Sequence, residues 1–258
     1  MTASKLSCHF ELIERQELGR NTYLLRLQAL EGQSLPPIQA GQFVQVLPPG
    51  GHTLLRRPIS VCTYLAEQRE LWLLVARVGR GTAAIIDTEP SATLDLILPL
   101  GNSFGIDKSQ RPLLVGGGVG IAPMLALARA FVGIGIRPTV LLGGRSSEYV
   151  VLREDFAALA DVLITTDDGS LGIQGRVTDH PEIQTGAYDA FYCCGPHPMM
   201  RAVAELAERR GIYCEVSLEN TMACGIGACL CCVQDTHEEG NVCVCTEGPI
   251  FNSKAIKW

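Results

Sequence analysis

Leu113-Leu114-Val115-Gly116-Gly117-Gly118-Val119-Gly120-Ile121-Ala122-Pro123-Met124 reads as an apolar strand that runs through four glycines into a helix. Glycines let a backbone approach a pyrophosphate closely, and a helix N-terminus offers free N–H donors and the positive end of its dipole. Pro123 suits a first helical turn. Gly118-Val119-Gly120 matches part of the dinucleotide fingerprint, but Ala122-Pro123 stand where a third glycine is expected. Taken alone, the run also fits a merely tight turn. Its strand-to-helix setting favours the nucleotide reading and predicts Gly116, Gly118, Gly120 and Pro123 as cofactor-binding residues.

The surrounding sequence carries the same texture. Strand-like Thr139–Leu142, a helix around Arg153–Ala160, strand Val162–Thr165, strand Ala190–Cys194, helix Pro198–Arg210 and strand Tyr213–Ser217 alternate from Arg111 to about Ser217. Strands alternating with helices imply a parallel sheet covered on both faces. Ligands of such sheets lie at the carboxyl ends of the strands. The turn Cys194-Gly195-Pro196 therefore belongs to the same crevice, with Cys194 either a nicotinamide neighbour or an inert buried thiol. Asp167 and Asp168 are candidates for ribose hydroxyls and equally turn and cap residues. His197 reads as a turn residue. Gly144-Arg145-Ser146-Ser147 is a candidate 2′-phosphate site, which leaves NAD and NADP both open at this level.

Upstream, from Cys8 to about Leu100, short apolar runs such as Thr22–Leu27, Gln42–Val46, Leu71–Val75 and Thr93–Leu98 alternate with turn signals. That spacing predicts an all-β sheet or barrel, with one short helix at Thr82–Ile86. Arg56-Arg57-Pro58-Ile59-Ser60-Val61 lies between two β-like segments and suits an arginine reaching a pyrophosphate beside a flavin ring. A salt-bridged surface strand would look the same. Gly79-Arg80-Gly81-Thr82 has the form of a phosphate-facing helix start.

Composition narrows the classes. The chain has 258 residues, 47% hydrophobic and 19% charged, with a net charge of −6 and no basic stripe, which argues against disorder and against nucleic-acid binding. Residues 1–17 lack the apolar core of a signal peptide, and the longest uncharged stretch, Pro112–Ala128, is shorter than a membrane span. The expectation is a soluble, cytoplasmic protein with no membrane partner. Six of the 11 cysteines fall between Cys224 and Cys245. In a reducing compartment such clustering means metal or redox chemistry more often than disulfides.

Cys224, Cys229, Cys232 and Cys245 give C-x4-C-x2-C-x12-C, whose first three members match plant-type [2Fe–2S] spacing. Gly225, Gly227 and Ala228 leave room for backbone N–H groups to face cluster sulfurs. A zinc site prefers paired C-x2-C knuckles, and Cys243–Cys245 makes a poor second one. Cys231 and Cys243 remain alternatives to Cys232 and Cys245.

Arg57-Pro-Ile-Ser60, Gly79-x-Gly-Thr82, Gly116-Gly-Gly-Val-Gly-Ile-Ala-Pro123 and Cys194-Gly-Pro196, taken together, resemble the ferredoxin–NADP⁺ reductase superfamily. Cys224-Gly-Ile-Gly-Ala-Cys-Leu-Cys-Cys232 and Cys245-Thr-Glu-Gly-Pro-Ile-Phe251 narrow the likeness to the electron-transfer subunits of class 1B dihydroorotate dehydrogenases, over nearly the whole chain. The resemblance implies an antiparallel FAD-binding β-barrel (1–104), an α/β parallel-sheet NAD-binding domain (105–217) and a small [2Fe–2S] domain (218–258). By position, Arg57, Pro58, Ile59, Ser60, Leu74, Val75, Ala76, Gly81 and Thr82 contact flavin. Gly195 and Pro196 join the nucleotide crevice, and Cys224, Cys229, Cys232 and Cys245 are the cluster ligands. Two departures stand out: Ala76 occupies a place where the family usually has arginine, and Cys231 a place usually held by a small residue.

The implied activity moves electrons from dihydroorotate oxidation in an FMN-containing catalytic partner, two copies of each subunit, to NAD⁺ in pyrimidine (UMP) biosynthesis. NAD accepts a hydride while a [2Fe–2S] centre passes single electrons, so the flavin must lie between them. No protein acid or base is strictly required. The alternatives are an electron-transfer subunit of a hydrogenase, transhydrogenase or oxygenase, and a zinc-binding interaction module.

Overall fold

Six strands near the N-terminus bury alternate side chains on a common interior. They are β1 (Leu6–Gly19), β2 (Thr22–Ala29), β3 (Phe43–Val46), β4 (Arg57–Leu65), β5 (Glu70–Ala76) and β6 (Thr93–Leu100). In the computed structural model, which describes residues 5–51 and 53–258, they close as a barrel in the order β1-β2-β5-β4-β3-β6 with antiparallel pairings throughout. Closure removes the edge strands that an open sheet would leave exposed. Val44, Val46, Leu71, Leu73, Leu94 and Leu96 fill the interior, and Ile85 and Ile86 of helix α1 (Arg80–Ile86) join the same core. The Arg57–Ser60 segment, expected between strands, is itself the start of β4. The strand is legible only from its partner, because Phe43↔Ser60 and Val46↔Arg57 pair in register.

The second unit alternates as expected. Strands β7 (Pro112–Gly117), β8 (Thr139–Gly144), β9 (Asp161–Thr166), β10 (Ile173–Gln174), β11 (Ala190–Cys194) and β12 (Tyr213–Ser217) are parallel. Helices α2 (Ile121–Gly133), α3 (Arg153–Ala157), α4 (Pro181–Thr185) and α5 (His197–Arg210) connect them. A hairpin, β13 (Val233–Asp235) with β14 (Asn241–Cys243), follows, and then β15 (Ile250–Asn252). The sheet order β10-β9-β8-β7-β11-β12-β15 turns back at β7, so the crevice at its carboxyl end lies between β7 and β11. The C-terminal residues, which show little pattern in sequence, return a strand to this sheet: β15 runs antiparallel to β12, with Ser217 opposite Ile250. Among the described residues no helix is long and apolar enough to cross a membrane.

Two apolar cores bind the units together. Leu24, Cys62 and Leu74 point out of the barrel into a cluster with Ile121, Met124 and Tyr192. Phe43 and Leu100 join Leu113, Val115, Val244 and Cys245 in the other. Asn102 fastens the end of the barrel to the C-terminal segment: its amide donates to Glu247 and Ile250 carbonyls at 2.8 Å and accepts from the Ile250 N–H at 2.9 Å.

Asp189 ties β11 to the entrance of β7. Its carboxylate accepts from the Ser109 hydroxyl and from the N–H groups of Gln110 (3.0 Å) and Arg111 (3.1 Å). Burial pushes its pKa up, but these donors outweigh it and hold the carboxyl below its ordinary range. A lowered folded-state pKa contributes stability that is complete above the unfolded carboxylate pKa and is lost as pH falls through the folded value. Asp189→Ala is expected to cost about 2 kcal/mol at neutral pH. The deficit should shrink in acid below the ordinary carboxylate range, as urea unfolding at several pH values would show; a pH-independent deficit would refute the account.

Candidate functional site

At the carboxyl ends of β7, β8, β9 and β11 lies a cavity of about 370 Å³, with Gly117, Gly118, Arg145, Asp167, Arg176 and Pro196 among its lining residues. The glycines of the opening motif do different things there. Gly118 has φ +57° and open space where a Cβ would stand, so it faces the crevice. Gly116 lies under Ile121, and a Cβ on Gly120 would stand 2.5 Å from the Cys194 carbonyl oxygen. Those two serve close packing of α2 against the sheet and keep β7 and β11 together. Pro123 is buried in the first turn of α2 and packs rather than lines the cavity. Gly195, at φ +152°, carries the chain out of β11 past Gly117, and Pro196 caps α5.

Of the two aspartates, Asp167 lines the cavity, whereas Asp168 accepts from the N–H and hydroxyl of Ser170 and shapes its own turn. Thr165 also lines the cavity, and its buried hydroxyl has no hydrogen-bond partner among the described residues. An orphaned hydroxyl in a polar crevice fits a ligand that supplies the missing partner. His197 begins α5 and meets the ring of Trp258 edge-on, with centroids 5.3 Å apart, in keeping with a structural role.

The barrel separates its two arginines. Arg56 is neutralised by Asp95 at 2.7 Å, while Arg57 bonds only the carbonyls of Leu55 and Arg56 and has no ion pair among the described residues. The Arg57 guanidinium lies across Gly81, where a Cβ would stand 2.2 Å from Nε. The Thr82 hydroxyl accepts from the Val78 and Gly79 N–H groups and so shapes the turn beneath. Nearby Leu54 and Val78 are 96% and 82% exposed. An unneutralised cation over a glycine floor beside exposed apolar side chains suits a ligand with an anionic end and an apolar ring. On β5, Leu74 faces α2, but Val75 points into the barrel core, so only its backbone is available to a ligand. Arg77, the neighbour of Ala76, is held by Asp87 at 2.9 Å and lies over the Tyr23 ring.

Cys194 is fully buried, and its thiol donates to Glu219 at 3.8 Å. Burial, then the Glu219 charge, raises that thiol well above its ordinary pKa, so it stays protonated. Glu219 is accessible yet closely surrounded; desolvation raises its pKa despite the bond from Cys194. Sequence reading overlooked this carboxylate. Its signal was an acidic residue two positions after the buried end of β12.

The cysteine loop brings its thiols together in two pairs. Cys224 stands beside Cys229, and its sulfur accepts from the Ile226 N–H at 3.5 Å; the Cys245 N–H points at the Cys232 sulfur at 3.4 Å. Cys232 and Cys245 are buried, Cys231 is exposed, and Cys243 stands beside Cys232. Burial pushes Cys224 up, but N–H groups of Ile226, Ala228 and Cys229 and the Cys229 thiol bring its pKa to about 6. Gly225 and Gly227, at φ +70° and +88°, make that turn possible. Cys245 is pushed up to about 12 by burial and by Cys232. Among the described residues no three His, Cys, Asp or Glu side chains converge on one point. A two-iron cluster needs only two thiolates at each iron, and paired thiols facing backbone N–H donors fit it.

The family described as the iron–sulfur cluster binding domain of dihydroorotate dehydrogenase B matches residues 219–257, and the oxidoreductase NAD-binding domain matches 114–205. Over 247 residues the chain is 38% identical to the dihydroorotate dehydrogenase B (NAD(+)) electron transfer subunit of Bacillus caldolyticus, spanning 93% of this chain and 94% of that one. The chain belongs to this family of electron transfer subunits.

The subunit of Geobacillus thermodenitrificans (strain NG80-2) is 36% identical over 254 residues, spanning 95% of this chain and 96% of the relative. An NADH-dependent reduced ferredoxin–NADP oxidoreductase, solved in a study of flavin-based electron bifurcation, superimposes with a TM-score of 0.85 at 27% identity, covering 100% of this chain and 92% of that one. Phthalate dioxygenase reductase shares the fold, with a TM-score of 0.67 at 18% identity over 93% of this chain and 94% of that one. Family membership accounts for the barrel, the crevice and the cysteine loop on one chain.

The two glycines of the motif should respond differently to alanine. Gly120→Ala forces a Cβ onto the Cys194 carbonyl and should cost about 3 kcal/mol. Gly118→Ala meets open space and should cost only about 1 kcal/mol for its left-handed backbone. Denaturant unfolding of the two variants checks the order; the reverse ranking would refute the division of labour.

Proposed function

We propose that this chain carries electrons from dihydroorotate oxidation in a catalytic partner, through a [2Fe–2S] cluster and FAD, to NAD⁺. The observation that carries the reading is convergence: the barrel face, the glycine crevice and the paired thiols are held against one another by shared apolar cores. When bound, FAD exchanges single electrons with the cluster and a hydride with the nicotinamide, which is the conversion the activity needs.

The chain's own residues bind and orient. Arg57 meets the flavin pyrophosphate, with Pro58, Ile59, Ser60, Leu74, the backbone of Val75, Ala76, Gly81 and Thr82 around the rest of the cofactor. Gly118, Gly195 and Pro196 admit the dinucleotide, while Gly116, Gly120 and Pro123 brace the turn that receives it. Cys194 keeps its proton beside Glu219 at the inner end of the crevice. Cys224 with Cys229 and Cys232 with Cys245 hold the two irons; exposed Cys231 and neighbouring Cys243 stay outside the ligand set. The division into 1–104, 105–217 and 218–258 follows these three tasks, although β15 shares the central sheet.

The remaining parts of the reading are a catalytic partner with FMN, two copies of each subunit, and a cytoplasmic place in pyrimidine biosynthesis. The family relationship supports a catalytic partner as such.

A visible spectrum with iron, sulfide and zinc analysis tests the cofactors: flavin and iron–sulfur bands are expected, and a colourless zinc protein would overturn the reading. Cys229→Ser should abolish dihydroorotate-linked NAD⁺ reduction in the complex, at least about 100-fold. It should leave NADH oxidation by artificial acceptors in place, because hydride transfer to flavin does not pass through the cluster. Survival of the dihydroorotate-linked rate in that variant would refute the wiring.

A further inference from the structure

Gln45 lies in the third position of β3, between two valines of the barrel core. Val44 and Val46 point into the barrel, so strand alternation turns Gln45 outward with Phe43, toward the C-terminal segment. It is 0% exposed, and neither its amide nitrogen nor its amide oxygen has a hydrogen-bond partner among the described residues. A buried amide without partners is costly, and a native structure that keeps one has a group for it to meet.

What lies against that amide is the cysteine loop. A Cβ on Gly225 would stand 2.6 Å from the Gln45 amide nitrogen and 2.7 Å from its Cγ. Gly225 is next to Cys224 and holds φ +70°. A glycine there lets the loop settle onto the side chain, so the contact is built from both sides. Gln45 also pairs in register with Pro58 of β4. Its side chain therefore reaches from the strand paired with the flavin strand to the glycine that follows the first cysteine of the loop.

We infer that the Gln45 side-chain amide is a positioning residue that donates a hydrogen bond to a sulfur of the iron–sulfur cluster at the Cys224 end of the loop. The inference rests on the cluster assignment made above. Hydrogen bonds to cluster sulfurs disperse the charge added on reduction and so raise the reduction potential. Gln45 thereby sets how readily the cluster accepts an electron, and it clamps the cluster loop to β3, the strand paired with Pro58.

The test is a redox titration of the cluster, followed by electron paramagnetic resonance, in the complex of this chain with its catalytic partner. Gln45→Met and Gln45→Leu approximate the volume and lack the donor. Each should lower the cluster's midpoint by a roughly tenfold weakening of reduction, about 59 mV for a one-electron couple. Flavin content reports that the barrel is intact. Unchanged midpoints in both variants overturn the inference.

A second measurement needs no variant. In wild-type protein carrying ¹⁵N only in glutamine side chains, pulsed resonance of the reduced cluster should show a ¹⁵N coupling, and its absence overturns the inference. A wild type without iron and sulfide overturns the cluster assignment itself. A wild type with a normal cluster and indifferent variants overturns the role of Gln45 alone.

Discussion

Leu24, Cys62 and Leu74 leave the barrel on its outer face and enter the same apolar core as Ile121, Met124 and Tyr192 of the nucleotide-binding sheet. Everything functional depends on that burial. An ordinary barrel would turn polar side chains outward on this side, and the two units would move independently. Each fully buried leucine or methionine here contributes about 1.5–3 kcal/mol, so a handful suffices to hold the junction in one arrangement. Electron passage and hydride transfer both require fixed, short separations. The shared core supplies them, and the Asn102 hydrogen bonds to Glu247 and Ile250 add a polar latch at the end of the barrel.

The cysteines divide along the same physical line. Cys8, Cys62, Cys193 and Cys214 are buried thiols within strands; burial raises the pKa of each, and they behave as small apolar side chains. Cys194 is equally buried but ends its strand beside Glu219. Cys224 is different because backbone N–H groups face it, and because glycines permit the turn. The count of cysteines says little; the local backbone decides which of them can be thiolates.

Much of this architecture is legible in the linear sequence. Alternation in Phe43–Val46, the glycine-rich turn after Leu113–Val115 and the spacing Cys224-x4-Cys229-x2-Cys232 each rest on local rules, because strand period, helix starts and ligand loops span few residues. Illegible were β4 beginning at Arg57, recognisable only through its pairing with β3, and β15, three residues long and stabilised by β12. The Arg57–Ser60 likeness pointed to Arg57, but the physical reason that sets Arg56 aside was hidden: Asp95, which neutralises it, is 39 residues away in sequence.

The sequence by itself determined the barrel, the alternating nucleotide-binding unit, the cysteine loop and the kind of chemistry each can perform, because those depend on residue type and short-range spacing. Only the tertiary structure decided which neighbours meet. It set Gly120 against the Cys194 carbonyl for packing while leaving Gly118 open, turned Val75 into the barrel, paired Cys232 with Cys245 while leaving Cys231 exposed, and brought Glu219 to Cys194 and Gln45 to Gly225. These are contacts between residues far apart along the chain, and no local period or spacing carries information about them.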